Sequence, residues 1–322
     1  MTQLTELDYK TRLPDTPVKL CLSLFTGALT PHSLWQSAPF RRKFLLRALI
    51  MPVSTFKVLN MITQHPAYPE LLQAQPRLPC RLHRPYLSNQ LTRRECTDAI
   101  IFHYKKITAL LDETAFIKHL SGEGIRLCSF SGKDGGDYYI NFISTRKLDR
   151  EGEASLILKR ADGQMLAEIT FTLCEKEQQA VIITGGLQGP NNPDSQQIVQ
   201  AATKNLYGIF PKKLVFEALL VIARLFNVSR ILAVSNKAHV YSSLRYKNRQ
   251  KHMHADYDSF WEMVGGVPTD RAMFSLPLAT TRKGFEEIAS KKRAEYRRRY
   301  ELLDKLTAQI ETGFRLKVAM SF

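Results

Sequence analysis

A short apolar segment of the chain, residues 231–234, is followed at once by polar residues that could do chemistry. Asn236 comes two residues after the segment, and Tyr241 follows five residues later. If the segment is a strand, its end delivers a working amide and a working phenol to the mouth of a site. In the alternative interpretation, Asn236 is a turn or N-cap residue and Tyr241 is a half-buried core residue.

The chain around this segment carries many positive charges, and no Asp or Glu occurs between Ala218 and Ala255. The cations of so long a span have no local carboxylate partner, which favours a site for an anionic ligand or a phosphate-bearing substrate. The alternative is a solvated face with one or two salt bridges. The cations are Arg224, Arg230, Lys237, Arg245, Lys247, Arg249 and Lys251.

The composition is that of a basic globular protein. The chain has 322 residues with 46 Lys and Arg against 30 Asp and Glu, and its net charge is +16. Such a balance predicts attraction to polyanions: a phosphorylated ligand, an anionic membrane surface or nucleic acid. Nucleic acid is the weakest of these predictions. The segment SKKRAEYRRRY (290–300) does interleave cations with tyrosines, but no recognised nucleic-acid-binding motif accompanies it.

The cysteines and histidines do not form a metal-binding pattern. The five cysteines are scattered without CxxC spacing, which favours reduced thiols in a cytosolic protein. His252, His254, Asp256 and Asp258 alternate and would share one face of a strand, but their segment has no strand propensity. We therefore predict a hydrogen-bonded loop there and no metal. The N-terminus does not resemble a signal peptide, and no apolar run approaches the roughly 20 residues of a membrane span.

The first part of the chain is predicted to be basic and mainly helical. No acid occurs between Thr16 and Tyr68, and the segment SLWQSAPFRRKFLLRALIM (33–51) spaces its apolar residues as a helix does. A basic amphipathic helix can dock its apolar face on the protein or lie on an anionic membrane, and we favour docking. Five prolines between residues 64 and 87 predict an irregular connector. A helix capped by Ser88 or Asn89 is expected next.

After residue 124 the apolar pattern changes from helical to strand spacing. Five short runs rich in β-branched and aromatic residues are separated by turn sequences such as SGKDGG and LDREGE, which predicts an antiparallel meander. Two helices, a buried strand at 230–235, a short helix, a late strand in FSLPL (274–278) and a long C-terminal helix are expected to follow. We predict two parts: a helical region, 1–120, and an α/β domain, 121–322.

This order of elements resembles the acyl-CoA N-acyltransferase superfamily, GNAT. The resemblance implies a mixed, largely antiparallel sheet and acyl-CoA as cofactor, with its pyrophosphate held at the helix start in GGLQGPNNPDSQQIV (185–199). It implies that Gln188 and Gly189 bind the cofactor. The cations Lys237 and Arg245 of the basic segment are expected to hold its phosphates. It also implies that Asn236 is catalytic and that Tyr241 is the general acid to the leaving thiolate. The comparable reference pKa values of phenol and thiol suit that role.

Longer stretches resemble the bacterial VirK/YbjX family. They are HPAYPEL, LQGP, ATKNLYGIFPKKLV, LAVSNKAHVYSSLRYK, DYDSFWEMVGG and IASKKRAEYRRRYELLD, and they lie between about residues 60 and 310. This resemblance implies a setting in virulence, envelope stress and resistance to cationic antimicrobial peptides. The combined expectation is a cytoplasmic acyltransferase acting peripherally at the inner membrane. The alternative is a non-catalytic factor that binds anionic lipid or nucleic acid through its basic surfaces.

Overall fold

The first part of the chain is helical in the computed structural model, which describes residues 13–242 and 256–318. Four of its helices carry proline in the first turn, where the missing N–H has no intrahelical partner to lose. Short 3-10 turns occupy Ser33–Gln36 and Leu78–His83. The helices are α1 (Pro17–Thr26), α2 (Ala38–Ile50), α3 (Pro52–Thr63), α4 (Tyr68–Ala74), α5 (Arg93–Leu110) and α6 (Glu113–Leu120).

Two details of this helical part differ from expectation. The connector predicted over residues 64–87 is not irregular throughout, because it contains α4 and the turn Leu78–His83. Helix α5 is capped not by Ser88 or Asn89 but by Thr92, which forms a capping box with Glu95. Ser88 and Asn89 instead donate hydrogen bonds to the carbonyl of Ala238, which lies between the predicted catalytic residues Asn236 and Tyr241.

In the part of the chain that the structure describes, eight strands form one sheet in the order β1-β2-β3-β4-β5-β6-β8-β7. The first five make the predicted antiparallel meander, and among the strand pairings of the described residues only that of β5 with β6 is parallel. The strands are β1 (Ile125–Ser131), β2 (Asp137–Ser144), β3 (Ala154–Arg160), β4 (Met165–Lys176), β5 (Gln179–Gln188), β6 (Arg230–Val234), β7 (Val267–Pro268) and β8 (Met273–Leu276).

The crossover from β5 to β6 contains the two predicted helices, α7 (Ser195–Asn205) and α8 (Pro211–Leu225). Helix α9 (Tyr257–Met263) precedes the last strands, and α10 (Ser290–Val318) is the long C-terminal helix. The buried face of α10 carries Leu302, Leu306, Ile310 and Phe314. Ile288, just before this helix, is also buried, whereas Phe285 is exposed and Tyr296 and Tyr300 are only half-buried.

These elements confirm the predicted fold class: an α/β protein with a helical N-terminal region, a mixed, largely antiparallel sheet and a long C-terminal helix. One hydrophobic core runs through the helical part and the sheet. Helix α5 packs on β4, where His103 accepts a hydrogen bond from the Leu173 amide. The division into 1–120 and 121–322 stays a prediction.

Candidate functional site

The parallel strands β5 and β6 separate at one end of their pairing. They pair from Val181 with Arg230 to Thr184 with Ala233. Strand β5 then continues to Gln188, whereas β6 ends at Val234. A cavity of about 580 Å³ lies at this opening, lined by Gln188 and Gly189 from the end of β5 and by His239 and Tyr241 from the segment after β6.

A buried carboxyl group, Glu151 from the loop between β2 and β3, forms one wall of the cavity. Two glycines of β5 make its position possible. A Cβ atom at Gly185 would collide with the Glu151 backbone carbonyl, and one at Gly186 would collide with the Glu151 carboxylate. A β-bulge places Gly185 as the extra residue opposite Thr170 and Phe171. The pair of glycines therefore serves close packing of a carboxyl group on the strand.

Substitution of Gly186 by alanine is expected to destabilise the fold by about 2 kcal/mol or more, because the new methyl group must displace the buried Glu151 side chain. The matched control is Gly189→Ala, since the nearest atoms to a Cβ at Gly189 are 4.0 Å away. Urea denaturation of both variants measures the difference. Equal midpoints for the two variants would contradict this packing role.

The environment of Glu151 holds its pKa at about 8, well above the usual value for a glutamate. Burial is the main cause, since it disfavours the charged form, and the side chain is almost entirely removed from solvent. Gln188 opposes this effect by donating hydrogen bonds from its amide to both carboxyl oxygens, at 3.3 and 3.2 Å. Glu151 therefore exchanges a proton near physiological pH, as general acid–base catalysis requires.

His239 faces Glu151 across the cavity wall. Its Nδ1 accepts a hydrogen bond from the Tyr241 amide, which places the ring proton on Nε2. That Nε2 lies 3.7 Å from the Glu151 Oε1, is buried and has no hydrogen-bond partner in the described part of the chain. Burial lowers the pKa of His239 to about 4, so the ring is neutral at pH 7. A neutral, buried N–H donor without a hydrogen-bond partner therefore lies at the wall of the cavity.

Aromatic rings fix His239 in place. The Tyr257 ring is stacked on the imidazole with centroids 5.2 Å apart, and the Tyr241 ring lies 5.2 Å away at a steeper angle. Both tyrosines also line the cavity. Tyr257 is buried, which raises the pKa of its phenol, and Tyr241 is half-buried. Tyr241 is therefore the phenol better placed between protein and ligand.

Residues of the helical N-terminal part hold the β2–β3 loop that contains Glu151. Buried Arg81 contacts Asp149 at 2.8 Å and Glu153 at 2.9 Å, on either side of Glu151. Tyr104 donates its hydroxyl to Glu153, and the Leu87 amide donates to the Arg150 carbonyl. Since a fully buried ion pair is costly to break, this network fixes the loop that presents Glu151. Arg81 is thus a positioning residue.

Another part of the cavity lining can attract an anion. Helix α7 begins at Ser195, and Asp194 at its N-cap position forms no side-chain cap, so the first amides of α7 have no side-chain acceptor there. Ser195 and Gln196 line the cavity together with Lys212 from the first turn of α8. Burial lowers the pKa of Lys212, partly offset by Asp256. A helix start and a partly buried lysine together suit a phosphate.

The predicted residues do not all meet at this cavity. Gln188, Gly189 and Tyr241 line it, but Asn236 does not. The Asn236 amide side chain binds Asp256 and the Tyr257 amide, and so joins the loop after β6 to the start of α9. Lys237 is exposed, and Arg245 lies outside the described residues. The catalytic and cofactor-binding roles of these residues stay predictions.

The basic segment after residue 218 has partners that the sequence did not reveal. Arg224 pairs with Glu311 and Arg230 with Glu177, so acids from distant segments balance two of its cations. Most of the remaining cations, and the histidines of the predicted loop at 252–258, lie outside the described residues. Among the described residues, no group of three or more His, Cys, Asp or Glu could hold a metal ion.

Three residues of the cavity were missed by sequence reasoning: Glu151, His239 and Lys212. His239 lies between the two predicted catalytic residues, but nothing in its spacing marks it. Glu151 was part of a turn sequence, LDREGE. The adjacent Gly185 and Gly186 inside an apolar strand were the available signal, because interior glycines mark a close approach of another group.

Comparison with known proteins finds a matching family model and similar bacterial proteins. Residues 33–312 match the family model "Protein of unknown function (DUF535)", which begins earlier than the expected start near residue 60. The protein is 42% identical over 315 residues to "Uncharacterized protein YbjX" of Escherichia coli K12, covering 98% of this chain and 96% of the relative. An uncharacterized protein of Haemophilus influenzae Rd is 26% identical, covering 85% of this chain and 89% of the relative. No solved structure matches significantly.

Proposed function

This chain belongs to the DUF535 family, the VirK/YbjX family of the resemblance, and we propose that it transfers an acyl group from a phosphate-bearing donor such as acyl-CoA. The transfer would take place at the cavity where β5 and β6 separate. One observation carries this proposal: a buried carboxyl of raised pKa, an unpartnered imidazole N–H and a phenol line one cavity that also contains a helix start and a lysine.

The phosphates of the donor would lie at the α7 end of the cavity. There the first amides of α7 and the Lys212 ammonium supply the positive potential, with Gly189 leaving space beside them. The acyl thioester would then extend past Gln188 toward Glu151. The acceptor is an amine or a hydroxyl group, whose N–H or O–H must lose a proton during the transfer.

In the proposed reaction, a named residue takes or donates each proton. The acceptor attacks the thioester carbonyl while ionised Glu151 takes its proton, and a C–N or C–O bond forms. The Nε2–H of His239 donates to the carbonyl oxygen as negative charge develops on it. The C–S bond then breaks, and the Tyr241 hydroxyl protonates the departing thiolate.

Release of the free thiol of coenzyme A tests this function directly. The purified protein is incubated with a series of acyl-CoA thioesters and candidate amines, and the thiol is measured with a chromogenic reagent. The protein's own thiols interfere little, because four of its five cysteines are buried. We expect protein-dependent release that saturates with acyl-CoA. Release that stays at the rate of buffer alone for every thioester would overturn the proposal.

The setting implied by the family resemblance completes the proposal. We infer a protein of the cytoplasm that meets the inner membrane from one side and modifies an envelope component before its export, in cells under envelope stress or during infection. The observation that favours membrane contact is separate from the cavity and concerns the N-terminal helices.

A further inference from the structure

Apolar side chains are exposed where α2 turns into α3. Leu46, Leu49 and Ile50 of α2 are 60%, 69% and 68% exposed, and Val53 at the start of α3 is 69% exposed. On α1, which packs against both helices, Val18 and Leu22 are also more than half exposed. The other side of α2 is docked as predicted, since Phe44 and Ala48 are buried in the core. We call these six exposed residues the apolar corner.

The charges around the apolar corner are positive. Arg42 and Lys43 are exposed one helical turn before Leu46, and Arg47 is half-buried between Leu46 and Leu49. Within the described part of the chain, no carboxylate lies within 4.0 Å of these three cations. The sequence offers none nearby, because Asp and Glu are absent from Thr16 to Tyr68. The corner thus combines apolar tips with a basic surround.

An apolar groove of about 870 Å³ adjoins the corner. Pro17 of α1 and Val53 of α3 form one end of it, and Phe56, Met61 and Ile101 line it further along. Lys57, which lies 4.0 Å from Asp98, and Lys105, which is exposed, also line the groove. A groove of this kind can accept an acyl chain while the lysines meet the headgroup.

Neither a membrane span nor a dimer interface fits the geometry of the corner. Helices α2 and α3 together are apolar enough for a membrane span, but they meet at 114°, and no single described helix could cross a bilayer. A second copy of the chain is disfavoured, since a twofold interface would bring the same cations of both copies together. An anionic surface with an apolar interior satisfies both the charge and the exposed side chains.

We propose that the apolar corner docks on the surface of a bilayer containing anionic phospholipids. The side chains at the α2–α3 turn enter the boundary between headgroups and acyl chains, and Arg42, Lys43 and Arg47 meet the lipid phosphates. The corner shares no residue with the cavity beside Gln188. Membrane docking and acyl transfer can therefore be tested independently.

Vesicle flotation tests this proposal with the full-length protein. Vesicles of phosphatidylcholine alone are compared with vesicles that also contain phosphatidylglycerol, at low and high salt. The protein is expected to float with the anionic vesicles and to be released by salt, because screening weakens surface attraction. Failure to float with anionic vesicles at low salt would overturn the proposal.

Matched variants locate the contact. The double variant Leu49→Asp with Ile50→Asp is expected to weaken vesicle binding by at least about tenfold. Val267→Asp with Met263→Asp adds the same charge at residues exposed to a similar degree in β7 and α9, and should weaken binding much less. Equal losses in the two double variants would overturn the assignment.

Removal of positive charge tests the same contact. The double variant Arg42→Gln with Lys43→Gln should weaken vesicle binding by roughly fivefold per charge removed, and unchanged binding would contradict the proposal.

Discussion

Replacing Glu151 with glutamine is expected to lower the rate of acyl transfer by about a hundredfold or more, the usual contribution of a positioned general base. Glutamine has the size of glutamate and retains hydrogen-bonding capacity toward Gln188, but it cannot take a proton from the acceptor. The measurement is the release of coenzyme A thiol by the wild-type protein and by the variant. The expected loss is in the maximal rate, with little change in the concentration of acyl-CoA needed for saturation.

The matched control for this variant is Glu168→Gln. Glu168 is a half-buried glutamate whose pKa is also raised by desolvation; its charge raises the pKa of Glu151, but it does not line the cavity. We expect the Glu168 variant to keep most of its activity. If both variants lose activity equally, the effect comes from disturbing buried carboxyl groups in general, and Glu151 is not the base.

The pH dependence follows from the pKa of Glu151. A base with a pKa of about 8 is mostly protonated at pH 7, so the transfer rate should rise with pH up to about 8 and then level off.

The ionisation of Glu151 is expected to change the stability of the fold in the opposite direction. The folded pKa is above the unfolded value of 4.5, so stability falls as pH rises from 4.5 to 8, by on the order of 4 kcal/mol. Glu151→Gln should remove both dependences.

Acidification between pH 6.5 and pH 4 is expected to unfold the protein. Burial is the main cause that lowers the pKa of His65, His83 and His239 to about 4, and of His119 to about 3. Buried His103 is shifted in the same direction. In the unfolded chain these histidines bind protons near pH 6.5, whereas in the folded protein they do not until pH 4 or below. Stability is therefore lost as pH falls through this window.

The expected size of this effect is large. Each of these histidines costs on the order of 3 kcal/mol by pH 4, and several together reach the 5–15 kcal/mol by which a typical domain is stable. Urea denaturation followed by circular dichroism at a series of pH values measures how the free energy of unfolding changes with pH. His119→Gln should make stability less steeply dependent on pH. A denaturation midpoint that stays constant from pH 6.5 to pH 4 would contradict the burial of these neutral rings.

Much of the fold could be predicted because local sequence determines it. In the meander, runs rich in β-branched residues alternate with turn sequences, and α8 begins with a proline. Short-range sequence rules are therefore enough to predict these elements. The C-terminal helix shows the limit of such rules. Tyr296 and Tyr300 lie four residues apart, as core residues of a helix do, but both are only half-buried, and Arg299 and Arg282 lie over their rings.

The site could be predicted only in part, because tertiary contacts assemble it. Tyr241 and Gln188 follow strand ends, and the topology brings strand ends together. Glu151 reaches the cavity because Gly185 and Gly186 leave room for it and because Arg81, distant in sequence, holds Asp149 and Glu153 beside it. No local pattern encodes that arrangement. Asn236 shows the opposite case: its position after a strand suggested chemistry, but its side chain holds the start of α9.

The central claim is that the cavity beside Gln188 binds the phosphates of an acyl donor, and calorimetric titration with coenzyme A tests it most directly. The predicted result is saturable one-to-one binding that Lys212→Met weakens by about tenfold or more, because a charge-assisted hydrogen bond is lost. Lys213→Met, which removes the neighbouring charge outside the cavity lining, should bind like the wild type. Absence of binding, or equal weakening by both substitutions, would contradict the claim.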